Sequence, residues 1–159
     1  MSDFEKAKRM LLSGGYTCVM CKGESVYTSF DRGVKPLVLW HESHINLRGF
    51  SAADKVIGKG AAFLYILIGV CKVYAGVIST PALNLLKEHG VVVEYGTEVD
   101  RIVNRKGDGI CPFEEAVLDI EDAESAYTVI HKKMKEMNIS TKVHYPKAFK
   151  EDCGSRKNI

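Results

Sequence analysis

The chain has little excess charge of either sign. Its 22 Lys and Arg stand against 20 Asp and Glu, a formal net charge of +2. That balance supplies no strong pull toward a polyphosphate or an anionic lipid surface, so neither nucleic acid nor membrane is expected as a partner. A long apolar run is also lacking. The longest, at about 61–71, falls short of the roughly 20 residues a spanning helix needs. The opening MSDFEKAKRM has no basic-then-apolar signal pattern. The cysteines are odd in number: Cys18, Cys21, Cys71, Cys111 and Cys153. With no secretory signal, they read as free thiols in a reducing cytoplasm. Internal repeats and low-complexity segments are missing as well.

What is present is a globular mixture, 46% hydrophobic and 26% charged over 159 residues. One domain of ordinary size is expected over 1–140, with a polar C-terminal tail over 141–159.

The pattern along the chain alternates. Ser2 and Glu5 form a capping box for a helix over 2–12, which Gly14 and Gly15 stop. YTCVMCK and SVYTSF read as a hairpin turning at Gly23-Glu24. Pro36 favours a short helix in KPLVLWHES. A strand ending at Asp54 is expected to hand over to a buried helix in KVIGKGAAFLYILIG. KVYAGVIS then reads as a strand, TPALNLLKEHG as a helix closed by Gly90, and VVVEY as a strand. VDRIV fits a strand or a short helix. Pro112 opens another helical stretch. Asp122 starts an amphipathic helix with Ala126, Tyr127, Ile130, Met134 and Met137 on one stripe. Strands separated by helices imply β-α-β crossovers. The opening hairpin makes the result a three-layer α/β fold, a mixed β-sheet with flanking helices.

Several clusters could carry chemistry. Cys18 and Cys21 have CxxC spacing, but in a strand they face opposite sides and read as core. His41 and His44 lack the four-residue spacing of the HExxH zinc pattern and a third ligand. In ADKVIGKGAA, Asp54 stands as helix N-cap or site carboxylate, and Lys55 and Lys59 lie one turn apart. Gly58 and Gly60 permit close approach of a backbone or ligand. Free N–H groups at that helix start would suit an anion. Lys59, amid small and apolar residues, must snorkel or find a partner such as Asp54 or a ligand. In ISTPALNLL, Ser79 or Thr80 caps the next helix, at a strand's carboxyl end where α/β sheets bind ligands.

The segment NRKGDGICPFEEAV reads as a capping box with sulfur in place of oxygen. Cys111 is N-cap, Pro112 the first helical residue and Glu114 the third. A helix start favours the thiolate, and Glu114 opposes it. Asn104 and Arg105, before the turn, are candidate ligand contacts.

The runs ADKVIGKGAAFL, VYAGVISTPALNLLKEHGVVVEY and IVNRKGDGICPFEEAV resemble an uncharacterised prokaryotic family, a domain of unknown function with a cytidine deaminase-like fold. The resemblance covers roughly residues 10–130. It implies the fold and no activity. The wider superfamily holds zinc with a His-Ala-Glu or Cys-Ala-Glu motif and a Pro-Cys-x-x-Cys motif at two helix starts. Here Ala53-Asp54-Lys55 or Asp54-Lys55-Val56 stands for the first, and Pro81-Ala82-Leu83-Asn84-Leu85 for the second. Both thiols are gone. Zinc-dependent deamination is not expected, nor any metal or cofactor.

Three functions compete. The first is a small-molecule binding protein, for a nucleotide or another anion. Asp54, Lys59 and Cys111 would line its pocket with Lys55, Ser79, Thr80, Asn104, Arg105 and Glu114. The second is a zinc-free hydrolase or acyl-transfer enzyme. Its nucleophile would be Cys111, its base or charge stabiliser Lys59, and its orienting carboxylate Asp54 or Glu114. The third is a homodimeric interaction module.

Overall fold

The structure, a computed structural model, describes residues 1–104 and 106–140. The expected tail over 141–159 lies outside the described residues, as does Arg105. Helix α1 (Asp3–Gly14) is capped by Ser2, whose hydroxyl accepts the Glu5 N–H at 3.1 Å, and ends in left-handed Gly15. Strands β1 (Cys18–Lys22) and β2 (Ser25–Ser29) form the expected hairpin. Helix α2 (Lys35–Glu42) starts with Pro36 in its first turn. Then follow β3 (Ser51–Ile57), α3 (Lys59–Ile68), β4 (Lys72–Ser79), α4 (Thr80–Glu88) and β5 (Val92–Val99). The described chain finishes with α5 (Pro112–Ala116) and α6 (Ala123–Glu136).

The five strands make one sheet in the order β2-β1-β3-β4-β5. β1 runs antiparallel to both neighbours, and β3, β4 and β5 are parallel. Apolar residues on the two pleat faces build two cores. On one face Phe4, Ala7 and Leu11 of α1 meet Val19, Cys21, Ala53 and Tyr74. On the other, Cys18, Met20, Ala52, Val73 and Ala75 meet the apolar residues of α2 to α6. Cys18 and Cys21 therefore belong to opposite cores, as strand alternation requires. The fold is the expected three-layer α/β architecture with a mixed sheet.

Two expectations for local structure are corrected. The third strand does not end at Asp54. It continues through Lys55 and Val56 to Ile57, paired with β1 at Cys18 and with β4 through Val77 and Ile78. β-branched Val56 and Ile57 suit that pairing, and the helix waits until Gly58 supplies an extended N-cap. VDRIV forms neither a strand nor a helix of its own: Val99 is the last residue of β5, and the strand stops there. The segment holds one isolated bridge, Val103 with Ile110, which closes a turn. Pro112 does open the expected helical stretch, which is five residues long.

Strict alternation also fails between Asp54 and Ile57. Ala52 and Asp54 face the helical layer, where Asp54 meets Tyr65 of α3, and the next residue in that core is Ile57. On β4 the same slip separates Ala75 from Ile78. The strands buckle together at Lys55 and Gly76. A Cβ on Gly76 would lie 2.7 Å from the Lys55 carbonyl oxygen, so only glycine permits this approach. The buckle leaves Val56 exposed near the carboxyl end of β3.

Candidate functional site

A cleft of about 730 Å³ opens near the carboxyl end of β3. Val56, Gly58 and Gly60 contribute from β3 and the start of α3. Arg32, Gly33 and Val34 come from the segment between β2 and α2, and Met137 and Ile139 from the end of α6. The remaining wall is the segment from Ile102 to Glu114. Most of the lining side chains are apolar. Polar groups come from Arg32, Asn104, Lys106, Asp108, Cys111 and Glu114. The turn is self-braced: the Asn104 amide donates to Asp108 Oδ1 at 2.8 Å, and the Asp108 N–H donates back to Asn104 Oδ1 at 3.2 Å.

Glu114 holds this wall to the rest of the molecule. It is 1% exposed. Its Oε2 accepts the Lys59 N–H at 2.7 Å and the Ser79 hydroxyl. Its Oε1 accepts the Ile102 N–H at 2.7 Å. Lys59 is the first residue of α3, and Ser79 is the N-cap of α4, where its oxygen accepts the Ala82 N–H at 3.3 Å. One carboxylate thus meets two helix starts, whose unpaired N–H groups and dipoles favour negative charge. The anion expected at the α3 start is therefore the protein's own. The close approach that Gly58 and Gly60 permit is also internal. A Cβ on Gly58 would sit 3.1 Å from Ile102 Cγ1, and one on Gly60 would sit 3.3 Å from the Phe113 carbonyl oxygen.

The structure brings Asn104, Cys111 and Glu114 together at the cleft, while Asp54, Lys55, Lys59, Ser79 and Thr80 do not line it. Cys111 occupies the N-cap of α5 but makes no capping bond through sulfur. Its N–H donates to the Ile102 carbonyl at 2.8 Å, so Glu114 does not reach back as in a capping box. A five-residue helix also offers little macrodipole to a thiolate. Lys59 does not pair with Asp54. Its ammonium donates to the Leu118 carbonyl at 2.6 Å and lies 5.6 Å from the centre of the Phe63 ring. Lys55 projects from β3 as an exposed side chain. The Thr80 hydroxyl donates to Glu98 Oε2 at 2.7 Å.

Asp54 is neither a cap nor a member of the cleft. It is buried inside the sheet, accepting the Tyr65 hydroxyl at 2.6 Å and the Val56 N–H at 3.3 Å. Cys18 Sγ lies 3.2 Å from the same hydroxyl. Burial pushes the Asp54 carboxyl up to about 7, and the hydrogen bonds from Tyr65, Val56 and Lys55 only partly oppose it. Burial, then the Asp54 charge, pushes the Tyr65 hydroxyl and the Cys18 thiol well up.

The sequence reading missed Arg32, Val56, Lys106, Asp108, Met137 and Ile139 as cleft residues. Only the N-x-x-x-D spacing of the turn hinted at its bracing. Arg32 and Ile139 are brought near by the fold and have no local signature. The starts of α3 and α4 carry Lys59 and Gly60, and Ser79, Thr80 and Ala82, respectively. Neither imidazole nor thiol is present there. Among the described residues, no group of three or more His, Cys, Asp or Glu gathers to hold a metal ion.

No curated protein matches the sequence. The chain is 30% identical to a DUF1893 family protein of Thermotoga maritima known from a crystal structure. The match covers 79% of this chain and 85% of that one, with a TM-score of 0.73. A diaminohydroxyphosphoribosylaminopyrimidine deaminase/5-amino-6-(5-phosphoribosylamino)uracil reductase of Thermotoga maritima is 17% identical. That match covers 72% of this chain and 40% of the other, with a TM-score of 0.37. Residues 6–134 match the family described as Domain of unknown function (DUF1893), and the chain belongs to that family.

Proposed function

We propose that the protein binds a small organic molecule in the cleft between β3, the β2–α2 segment and the turn before α5. The carrying observation is where exposed apolar surface collects. Eight large apolar side chains are exposed among the described residues. Three of them, Val56, Val103 and Met137, line the cleft. A fourth, Phe30, lines an adjoining hollow that shares Arg32 and Ile139 with it. Scattered apolar exposure is ordinary, whereas a cluster rimmed by polar groups marks a binding site. The volume suits a small organic molecule.

Catalysis through Cys111 ranks lower. Among the described residues no histidine lines the cleft, and neither Lys59 nor Asp54 stands beside the thiol. A homodimer closing over the same apolar rim is the competing occupant. The compartment proposed is a reducing cytoplasm. Cys18, Cys21, Cys71 and Cys111 are unpaired thiols, and no described helix is long and apolar enough to cross a membrane.

The test is native mass spectrometry of freshly purified protein, followed by melting against a panel of nucleotides, organic acids and neutral aromatics. A co-purifying mass, or a stabilising compound that slows Cys111 alkylation, is expected. If no compound raises the melting temperature or shields Cys111, and sedimentation shows a dimer that does shield it, the cleft is an interface instead.

A further inference from the structure

We infer that the ligand is an organic anion with an apolar body, its charged end held between Arg32 and Lys106. This rests on the cleft being the ligand site and adds the class of ligand. A bare charge count does not decide the matter, because the lining carries Arg32 and Lys106 against Asp108 and Glu114. The signs differ in how they are satisfied. Glu114 is buried and takes donors from Lys59, Ser79 and Ile102. Asp108 takes the Asn104 amide. The acid beside Arg32, Asp31, pairs with Lys35 at 3.8 Å. Arg32 and Lys106 are both exposed and have no acceptor among the described residues.

An entering cation would have to share carboxylates that already hold donors. An entering anion meets two cations, one from the β2–α2 segment and one from the turn at 104–108. A guanidinium takes carboxylate, phosphate or sulfonate through paired N–H groups, and an ammonium adds a point charge. Val56 and Met137 would then cover the apolar body. The α3 start, the other place where an anion would be sought, is closed by Glu114.

Two dyes make the test. Anilinonaphthalene sulfonate carries a sulfonate, and phenylnaphthylamine has the same aromatic body without charge. Each is titrated by fluorescence into protein whose cooperative melting is verified under the same conditions. Cys111 alkylation is then read by mass spectrometry with each dye bound. The sulfonate should bind about tenfold more tightly than the neutral dye. Arg32→Ala and Lys106→Ala should each weaken the sulfonate about three- to tenfold and leave the neutral dye unchanged, and Arg32→Lys should recover part of the loss. Both dyes should shield Cys111. Equal affinities, or a double variant that binds the sulfonate as wild type does, overturn the anion assignment. Shielding of Cys111 in that case leaves the cleft standing. Binding of either dye without shielding places it elsewhere, and the cleft reading falls too.

Discussion

Two carboxylates are buried among the described residues, and they live under opposite conditions. Glu114 sits where α3 and α4 begin, and three donors converge on it. Asp54 sits mid-strand, with a hydroxyl, strand N–H groups and a thiol for neighbours, and no cation among its described partners. Burial alone does not set the behaviour of an acid. Helix starts supply aligned N–H groups and positive potential, so a carboxylate there organises the chain around it. A sheet interior spends its N–H groups on neighbouring strands, so a carboxyl there is driven toward its neutral form.

The largest effect is expected at Glu114. Glu114→Ala leaves the Lys59 and Ile102 N–H groups and the Ser79 hydroxyl without their acceptor. At one to several kcal/mol for such losses together, the cost is about 5 kcal/mol. For a domain of this size that is a melting temperature lower by about 15 °C. Glu114→Gln keeps one acceptor oxygen and should cost about half as much. Hydrogen exchange around Ile102 and Cys111 should accelerate in both variants, and Cys111 should alkylate faster. A Glu114→Ala protein that melts like wild type would show that the wall is held by its apolar contacts instead.

Asp54 is tested through pH. Its folded value is raised to about 7 from 3.8, so between those limits the folded state holds a proton that the unfolded state has released. The stability this group contributes is complete below the unfolded value, falls as pH rises through the window, and is flat above about 7. Asp54→Asn removes the titration while keeping a neutral side chain. The variant should therefore gain on wild type from pH 4 to pH 8, by at most on the order of 4 kcal/mol, in urea unfolding. A constant difference across that range would mean that the carboxylate is stabilised in place. Tyr65→Phe takes away the 2.6 Å donor and should push the Asp54 value further up.

The contrast between the two acids also shows what the sequence could and could not reveal. The three layers, the hairpin and the order of helices and strands follow from alternation and caps, which are local. Ser2, Ser79 and Asp122 each cap as their spacing implies. Cys111 stood out because Pro112 and the glycine turn mark it locally. The bonding of Glu114 did not, since its partners lie 12, 35 and 55 residues away. A capping box was the local reading of Glu114, and tertiary donors outcompeted it. Asp54 was misplaced because its segment scans as strand end and helix start alike. The buckle that carries the strand three residues further depends on Gly76 in the neighbouring strand.

That buckle supplies the next expected effect. Gly76→Ala places a Cβ against the Lys55 carbonyl oxygen, which is backbone and cannot swing away. The cost should be about 2–3 kcal/mol. Val56 and Asp54 should shift with it, so weaker dye binding in the cleft is expected alongside the lower melting temperature. The smallest effect is expected at Lys59, a cationic residue whose backbone N–H bonds Glu114. The carboxylate takes the Lys59 main-chain N–H, while the ammonium serves the Leu118 carbonyl. Lys59→Met keeps the backbone donor and loses only the second bond, so about 1 kcal/mol should disappear, with dye binding unchanged. A loss near that of Glu114→Ala would mean that the ammonium, rather than the helix start, holds the carboxylate. The difference between the two acids would then reduce to the presence or absence of a nearby cation.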